Sequence, residues 1–285
     1  MLLRHGQVAA EHWWSPYTPE LRHELHSLSK SFTSTAVGLA VNEGLLSTQD
    51  FVVSFFQDRN VPDNRYLRSM RVWHLLTMSA GHTDVTLRSE WRSRGEDWVQ
   101  AFLELPLERE PGTEFVYSGG ASYMLSAIIQ KLTGLPLLEY LTPRLFEPLG
   151  IRGAEWGACP RGISIGSSGL RLKTEDIARF GQLYLQRGRW NDAQLLPEAW
   201  VKEATAAQVS TGRKKMDYNQ GYGYQFWRCR HGAYRGDGAQ GQFCIVMPEQ
   251  DAVIVTTAGV SNLQELLDLI WEHLLPGMGE IDARS

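Results

Sequence analysis

Apolar positions along the chain follow two rhythms, sheet-like at the ends and helix-like in the middle. Leu2-Leu3-Arg4 and Gln7 to Glu11, separated by Gly6, read as a hairpin of two short runs about a glycine turn. From Ser27 to Gly44 the pattern becomes helical, with Ala36, Val37, Leu39, Ala40 and Val41 apolar nearly all round, which predicts a core helix. Met124, Leu125, Ile128, Ile129 and Leu132 share one helical face that stops at Gly134. Ile177, Phe180 and Tyr184 form another, after Thr174 and before Gly188. Strands return with Phe243 to Met247, a Pro248-Glu249-Gln250-Asp251 turn, and the β-branched run Ala252 to Thr257. A final amphipathic helix carries Leu263, Leu266, Leu267, Ile270 and Leu274 on one face; Ser261 and Gln264 read as its capping box, and Pro276 follows its end.

These elements predict an α/β (α+β) fold: an antiparallel sheet flanked by helices, with a mainly helical stretch inserted between its strands. No repeat, low-complexity stretch or Pro/Gly linker divides the chain, so residues 1–285 are expected to form one catalytic domain. Its α/β lobe is drawn from about 1–44 and 220–285, and its mainly helical lobe from about 45–219.

Composition adds exclusions. The chain has 285 residues, 43% hydrophobic and 21% charged, which suits a globular protein that buries a sizeable core. The net charge is -4, and acids and bases interleave without a basic patch, so no nucleic-acid partner is expected. Cys159, Cys229 and Cys244 lack the number and spacing of a disulfide framework or a metal site and read as buried thiols. His74, His82 and His231 do not sit at metal spacing either, and no metal or organic cofactor is expected. No run approaches the roughly 18 apolar residues of a membrane span, and the start lacks the pattern of a signal peptide. The expected location is cytoplasmic, without membrane association.

Three segments carry candidate chemistry. In Ser27-Leu28-Ser29-Lys30 the serine and lysine are three apart, on one helical face, so the amine can reach the hydroxyl. Roughly one such match per chain arises by chance, and Ser27 as a simple helix cap is the alternative. A capping box, however, wants Glu or Gln where Lys30 stands, and a cation beside the positive helix end costs about 0.3–1 kcal/mol. A buried lysine beside a serine places a general base beside a nucleophile. In Glu114 to Gly120, Tyr117 precedes a helix in a loop of small residues, and Lys30 could supply the positive charge that a phenol needs to act as a base. Alone, Tyr117 reads first as a packed aromatic with a satisfied hydroxyl. Arg235-Gly236-Asp237-Gly238-Ala239-Gln240-Gly241-Gln242 contains the glycines of a dinucleotide fingerprint, but a strand follows where that fingerprint needs a helix. It reads instead as an edge strand whose glycines admit substrate backbone, with one amide for an oxyanion hole; Asp237 could touch substrate from it, but reads first as an edge-strand charge that discourages aggregation.

Order and spacing of these segments resemble the class C β-lactamase and penicillin-binding-protein-like serine hydrolases, and the likeness runs from end to end. It extends to His74-Leu75-Leu76-Thr77-Met78-Ser79-Ala80-Gly81-His82, to Gly166 to Arg171 with Asp176 to Gly181, and to Gly221 to Trp227. The chain is similar to the β-lactamase-related branch that includes esterases and nylon-oligomer hydrolases. The resemblance implies a β-lactamase/transpeptidase-like fold with Ser27 as nucleophile, Lys30 and Tyr117 as its activating pair, and the backbone N–H groups of Ser27 and Ala239 as the oxyanion hole. Ser118, Gly119, Gly236, Asp237 and Gly238 would bind substrate. It also implies a helix before the first strand, whereas Met1 begins inside that strand.

Two departures bear on substrate. Gly119 stands where many β-lactamases carry an amide-binding Asn, and Gly236 stands where the third motif carries Lys or His for a substrate carboxylate. Arg235 or another nearby cation could replace the latter. The expected reaction is hydrolysis of a small-molecule ester, amide or β-lactam through an acyl-enzyme, leaning to esters. A D-alanyl carboxypeptidase or transpeptidase, and a non-catalytic binding module on the same fold, are the alternatives.

Overall fold

The β-branched runs near the C-terminus form the centre of a six-stranded antiparallel sheet in the computed structural model, which describes residues 1–83 and 95–279. Its strands are β1 (Leu2–Arg4), β2 (Gln7–Ala10), β3 (Trp227–Arg228), β4 (Tyr234–Gly238), β5 (Gln242–Met247) and β6 (Ala252–Thr256). Their order is β2-β1-β6-β5-β4-β3, so the hairpin that starts the chain completes a sheet built by its end. Register is set at the centre, where Ile245 faces Ile254 and Val246 faces Val253.

Alternation along β5 and β6 divides the hydrophobic interior in two. Phe243, Ile245, Met247 and Ile254 pack with Leu267, Ile270 and Trp271 of the last long helix. Cys244, Val246, Val253 and Val255 face the main core. This is the period of two expected of a strand buried on both faces. The helices that matter here are α1 (Ser29–Asn42), α2 (Gly119–Thr133), α3 (Thr174–Leu185) and α4 (Leu263–His273). Close approach of α3 to the sheet depends on Gly181, where a Cβ would lie 2.5 Å from Val253 Cγ1 and 2.8 Å from Cys244 Sγ.

The structure departs from the sequence pattern at several element ends. Ser27 belongs to a separate 3-10 turn, His26–Leu28, and α1 begins at Ser29. Burial periodicity runs through both, because it does not register which carbonyl each N–H meets. At α4 the cap is Asn262, whose side chain accepts from the Glu265 N–H, rather than the expected Ser261. Gln264 instead donates to the buried Asp217 carboxylate at 2.7 Å. Pro276 opens a further short helix, Leu275–Met278, where its missing N–H costs nothing. Between the sheet-forming ends the chain is not purely helical: His23–Glu24, Glu155–Trp156 and Leu170–Leu172 pair as a small sheet. All three cysteines are buried and free. Among the described residues no helix is long and apolar enough to cross a membrane.

Candidate active site

The turn that carries Ser27 is wedged between β4 and the strand Leu170–Leu172. The Leu28 N–H bonds the Leu25 carbonyl at 3.0 Å, and the Leu25 N–H bonds the Leu170 carbonyl at 2.9 Å. His26, immediately before Ser27, is held at φ 47°, in the left-handed region that non-glycine residues seldom occupy. Such local strain persists only where surrounding structure enforces it. Here β4 packs closely against the turn. A Cβ on Gly238 would lie 2.2 Å from the Leu25 carbonyl oxygen, and one on Gly236 would lie 2.2 Å from Leu28 Cδ1. These glycines therefore make room for the Ser27 turn, a packing role that the sequence did not suggest for either.

Lys30 lies one helical turn on, buried at 3% exposure, and its Nζ is 3.0 Å from Ser27 Oγ. The same amine donates to the Ser167 carbonyl at 2.8 Å. That carbonyl is delivered by the Gly166–Arg171 loop, anchored where Thr33 Oγ1 donates to the Gly166 carbonyl at 2.8 Å. Ser167 was not singled out in the sequence, since a backbone acceptor leaves no side-chain signature.

Tyr117 completes the group. Its hydroxyl is hydrogen-bonded to Ser27, and Lys30 Nζ lies 4.9 Å from its ring centroid. The loop that carries it is tied to the His74–His82 segment: the Val116 N–H bonds the Met78 carbonyl, and the Ser118 N–H meets Met78 Sδ. Buried Gln225 links the same elements, accepting from Ser122 Oγ and donating to the Leu75 and Leu76 carbonyls. Burial pushes the Tyr117 phenol well above its ordinary range, and the Ser27 hydrogen bond offsets this only in part. Asp237 adds to the rise, while Arg235 and Arg213 oppose it. The expected lowering by Lys30 does not govern this phenol, because desolvation outweighs the neighbouring charges.

Asp237 is not an edge-strand charge. It is 9% exposed, and its Oδ2 accepts from Arg235 Nε at 2.8 Å and from the Tyr218 hydroxyl at 2.9 Å. Arg235 is fully buried; it donates also to the Asp217 carbonyl and stacks over Tyr218, 4.4 Å from the ring centroid. Enclosed and paired, Arg235 is committed to the fold rather than open to a substrate carboxylate. β4 is likewise covered in part by β3, which pairs with Tyr234 and Arg235 and leaves Gly236 to Gly238 beyond its end.

A cleft of about 510 Å³ joins these groups, with Ser27, Tyr117, Tyr218, Trp227, Asp237 and Ala239 on its wall. Ser118, Gly119, Gly236 and Gly238 are not part of that wall. Ser118 Oγ instead accepts from the Ala121 N–H as the cap of α2. Ser261, displaced from its expected capping role, lines the cleft with Leu263. So does Arg213-Lys214-Lys215, three consecutive cations in a chain read as evenly interleaved. The signal was present as a short basic run, but nothing in sequence placed it beside Ser27.

Over 277 residues the chain is 25% identical to a 6-aminohexanoate-dimer hydrolase of Paenarthrobacter ureafaciens, covering 90% of this chain and 70% of that protein. It is 23% identical over 230 residues to a β-lactamase of Escherichia coli, covering 74% of this chain and 58% of that protein. The fold superposes on a Mycobacterium bovis β-lactamase with TM-score 0.70 at 19% identity, covering 97% of this chain and 93% of that one. The family profile described as Beta-lactamase matches residues 1–268, and with that match across nearly the whole chain the protein belongs to the Beta-lactamase family of serine hydrolases.

Proposed function

We propose that the protein hydrolyses a carboxylic ester or amide through an acyl-enzyme formed on Ser27. The observation that carries this reading is the contact of Ser27 Oγ with Lys30 Nζ at 3.0 Å, with the Tyr117 hydroxyl bonded to the same serine, on the wall of an open cleft. As Ser27 Oγ adds to the substrate carbonyl carbon, its proton passes to the Lys30–Tyr117 pair. The carbonyl π electrons move to oxygen, and the oxyanion accepts hydrogen bonds from the Ser27 and Ala239 N–H groups, worth about 3 kcal/mol per donor. Collapse expels the alcohol or amine, which takes the proton from the pair. Water then adds to the acyl ester, releases the carboxylic acid and restores the Ser27 hydroxyl. Burial holds the Tyr117 phenol above its ordinary range, so it serves as a relay rather than as a resting phenolate. Neither metal nor organic cofactor enters these steps.

A fluorophosphonate is expected to add one label per chain, on the peptide that contains Ser27. Intact-protein and peptide mass spectrometry read this directly, and a label elsewhere, or none, overturns the nucleophile assignment.

Among substrates, short activated esters are favoured over lactams. Gly119 carries no side-chain donor for the acyl amide of a lactam, a hydrogen bond worth about 0.5–1.5 kcal/mol, whereas an ester needs only the nucleophile and the oxyanion donors. p-Nitrophenyl acetate is therefore expected to show a higher kcat/KM than nitrocefin. Side-by-side kinetics in which the lactam equals or exceeds the ester restore a β-lactamase.

A further inference from the structure

The acyl-transfer steps leave one part of the cleft wall unused. Arg213, Lys214 and Lys215 are exposed side by side on the cleft that holds Ser27 and Tyr117. Among the described residues, the one carboxylate on that wall is Asp237, already neutralised by Arg235 at 2.8 Å. The cleft therefore carries uncompensated positive charge in a protein whose net charge is -4. Nor is the segment a loose tail. The Thr211 hydroxyl accepts from the Arg213 N–H and donates to the Tyr218 carbonyl, and the Tyr218 N–H bonds the Lys215 carbonyl at 3.0 Å. Tyr218 in turn holds Asp237, so the basic run is tied to β4, which leads into Ala239. The Arg213 guanidinium stands 6.0 Å from the Phe115 ring centroid, two residues from Tyr117. Adjacent like charges repel, and a concave wall of one sign concentrates ligands of the other.

We propose that Arg213, Lys214 and Lys215 form an anion subsite that selects substrates carrying a carboxylate remote from the scissile carbonyl. This rests on the hydrolase reading above and narrows its substrate class. It replaces the cation that Gly236 lacks, but from a different segment, so the carboxylate approaches from the loop side of the cleft. Substrates with a free ammonium at that end are disfavoured by the same charge.

Two ester pairs test it and locate the carboxylate. The p-nitrophenyl monoester of glutaric acid carries it on the acyl side, and 3-acetoxybenzoate carries it on the leaving group; each is compared with its neutral methyl ester. For at least one pair, kcat/KM of the anion is expected to exceed that of the neutral ester at least tenfold at low ionic strength, mainly through KM. That ratio should collapse as salt shortens the screening length from about 30 Å at 0.01 M to about 3 Å at 1 M. The R213Q/K214Q/K215Q variant is expected to bring it near one, and R213K to retain it. The salt titration uses the unaltered protein, so it decides the matter however the variant folds. Ratios near one in both pairs, or a preference unmoved by salt and by the triple variant, overturn the subsite. Failure to hydrolyse even the neutral esters, with Ser27 unlabelled, overturns the hydrolase reading instead.

Discussion

Lys30→Ala and Tyr117→Phe are each expected to lower kcat by about 10²–10⁴, and the double variant to lose little beyond the worse single one. The reason is geometric: both groups meet the same serine oxygen, Lys30 at 3.0 Å and Tyr117 through its hydroxyl, so removing either breaks one proton route. A double-mutant cycle on p-nitrophenyl acetate, with thermal unfolding as the check on folding, measures the coupling. Losses that multiply independently would mean that the two groups act on different steps. Lys30→Ala also strips the Ser167 carbonyl of its donor at 2.8 Å, so its unfolding curve is expected to shift more than that of Tyr117→Phe.

Arg235→Met is expected to destabilise the protein by about 3–5 kcal/mol, because it leaves the Asp237 carboxylate enclosed without its cation. The Tyr218 hydroxyl at 2.9 Å is a poor substitute for a guanidinium. Arg235→Met combined with Asp237→Asn is expected to recover most of that loss, since the cost lies in an unpaired buried charge rather than in the absence of the pair. Urea denaturation of the two variants decides between these accounts. A single variant within about 1 kcal/mol of the parent would show that water reaches the pair and screens it. Activity should fall alongside stability in the single variant, because Asp237 lies on the strand that frames the Ser27 turn, two residues before Ala239.

Helices α1, α2, α3 and α4 and the β5–β6 hairpin were legible in sequence because each rests on local periodicity: three to four residues for a one-sided helix, two for a strand. Ser27, Lys30 and Tyr117 were legible as a motif set, and Ser27 and Lys30 fall close in space because they are three residues apart in a turn that runs into a helix. Periodicity failed where a residue's partner is far along the chain. Gln264 was read as a cap, but its amide is taken by Asp217, 47 residues away, so Asn262 caps α4 and Ser261 is released to the cleft. Gly236 and Gly238 were read as space for substrate, and that reading gave no hint that a Cβ at either position would meet Leu28 and Leu25.

Sequence by itself determined the family, the element types and the candidate reacting groups, since these depend on short-range spacing and on side-chain chemistry. Tertiary structure alone decided the electrostatics. Desolvation of Tyr117 and the neutralising of Asp237 by Arg235 depend on what encloses each group. The arrival of Arg213, Lys214 and Lys215 at a serine nearly two hundred positions earlier depends on how the sheet brings the two ends of the chain together. A charge acts through distance and dielectric, and neither is written in the order of residues.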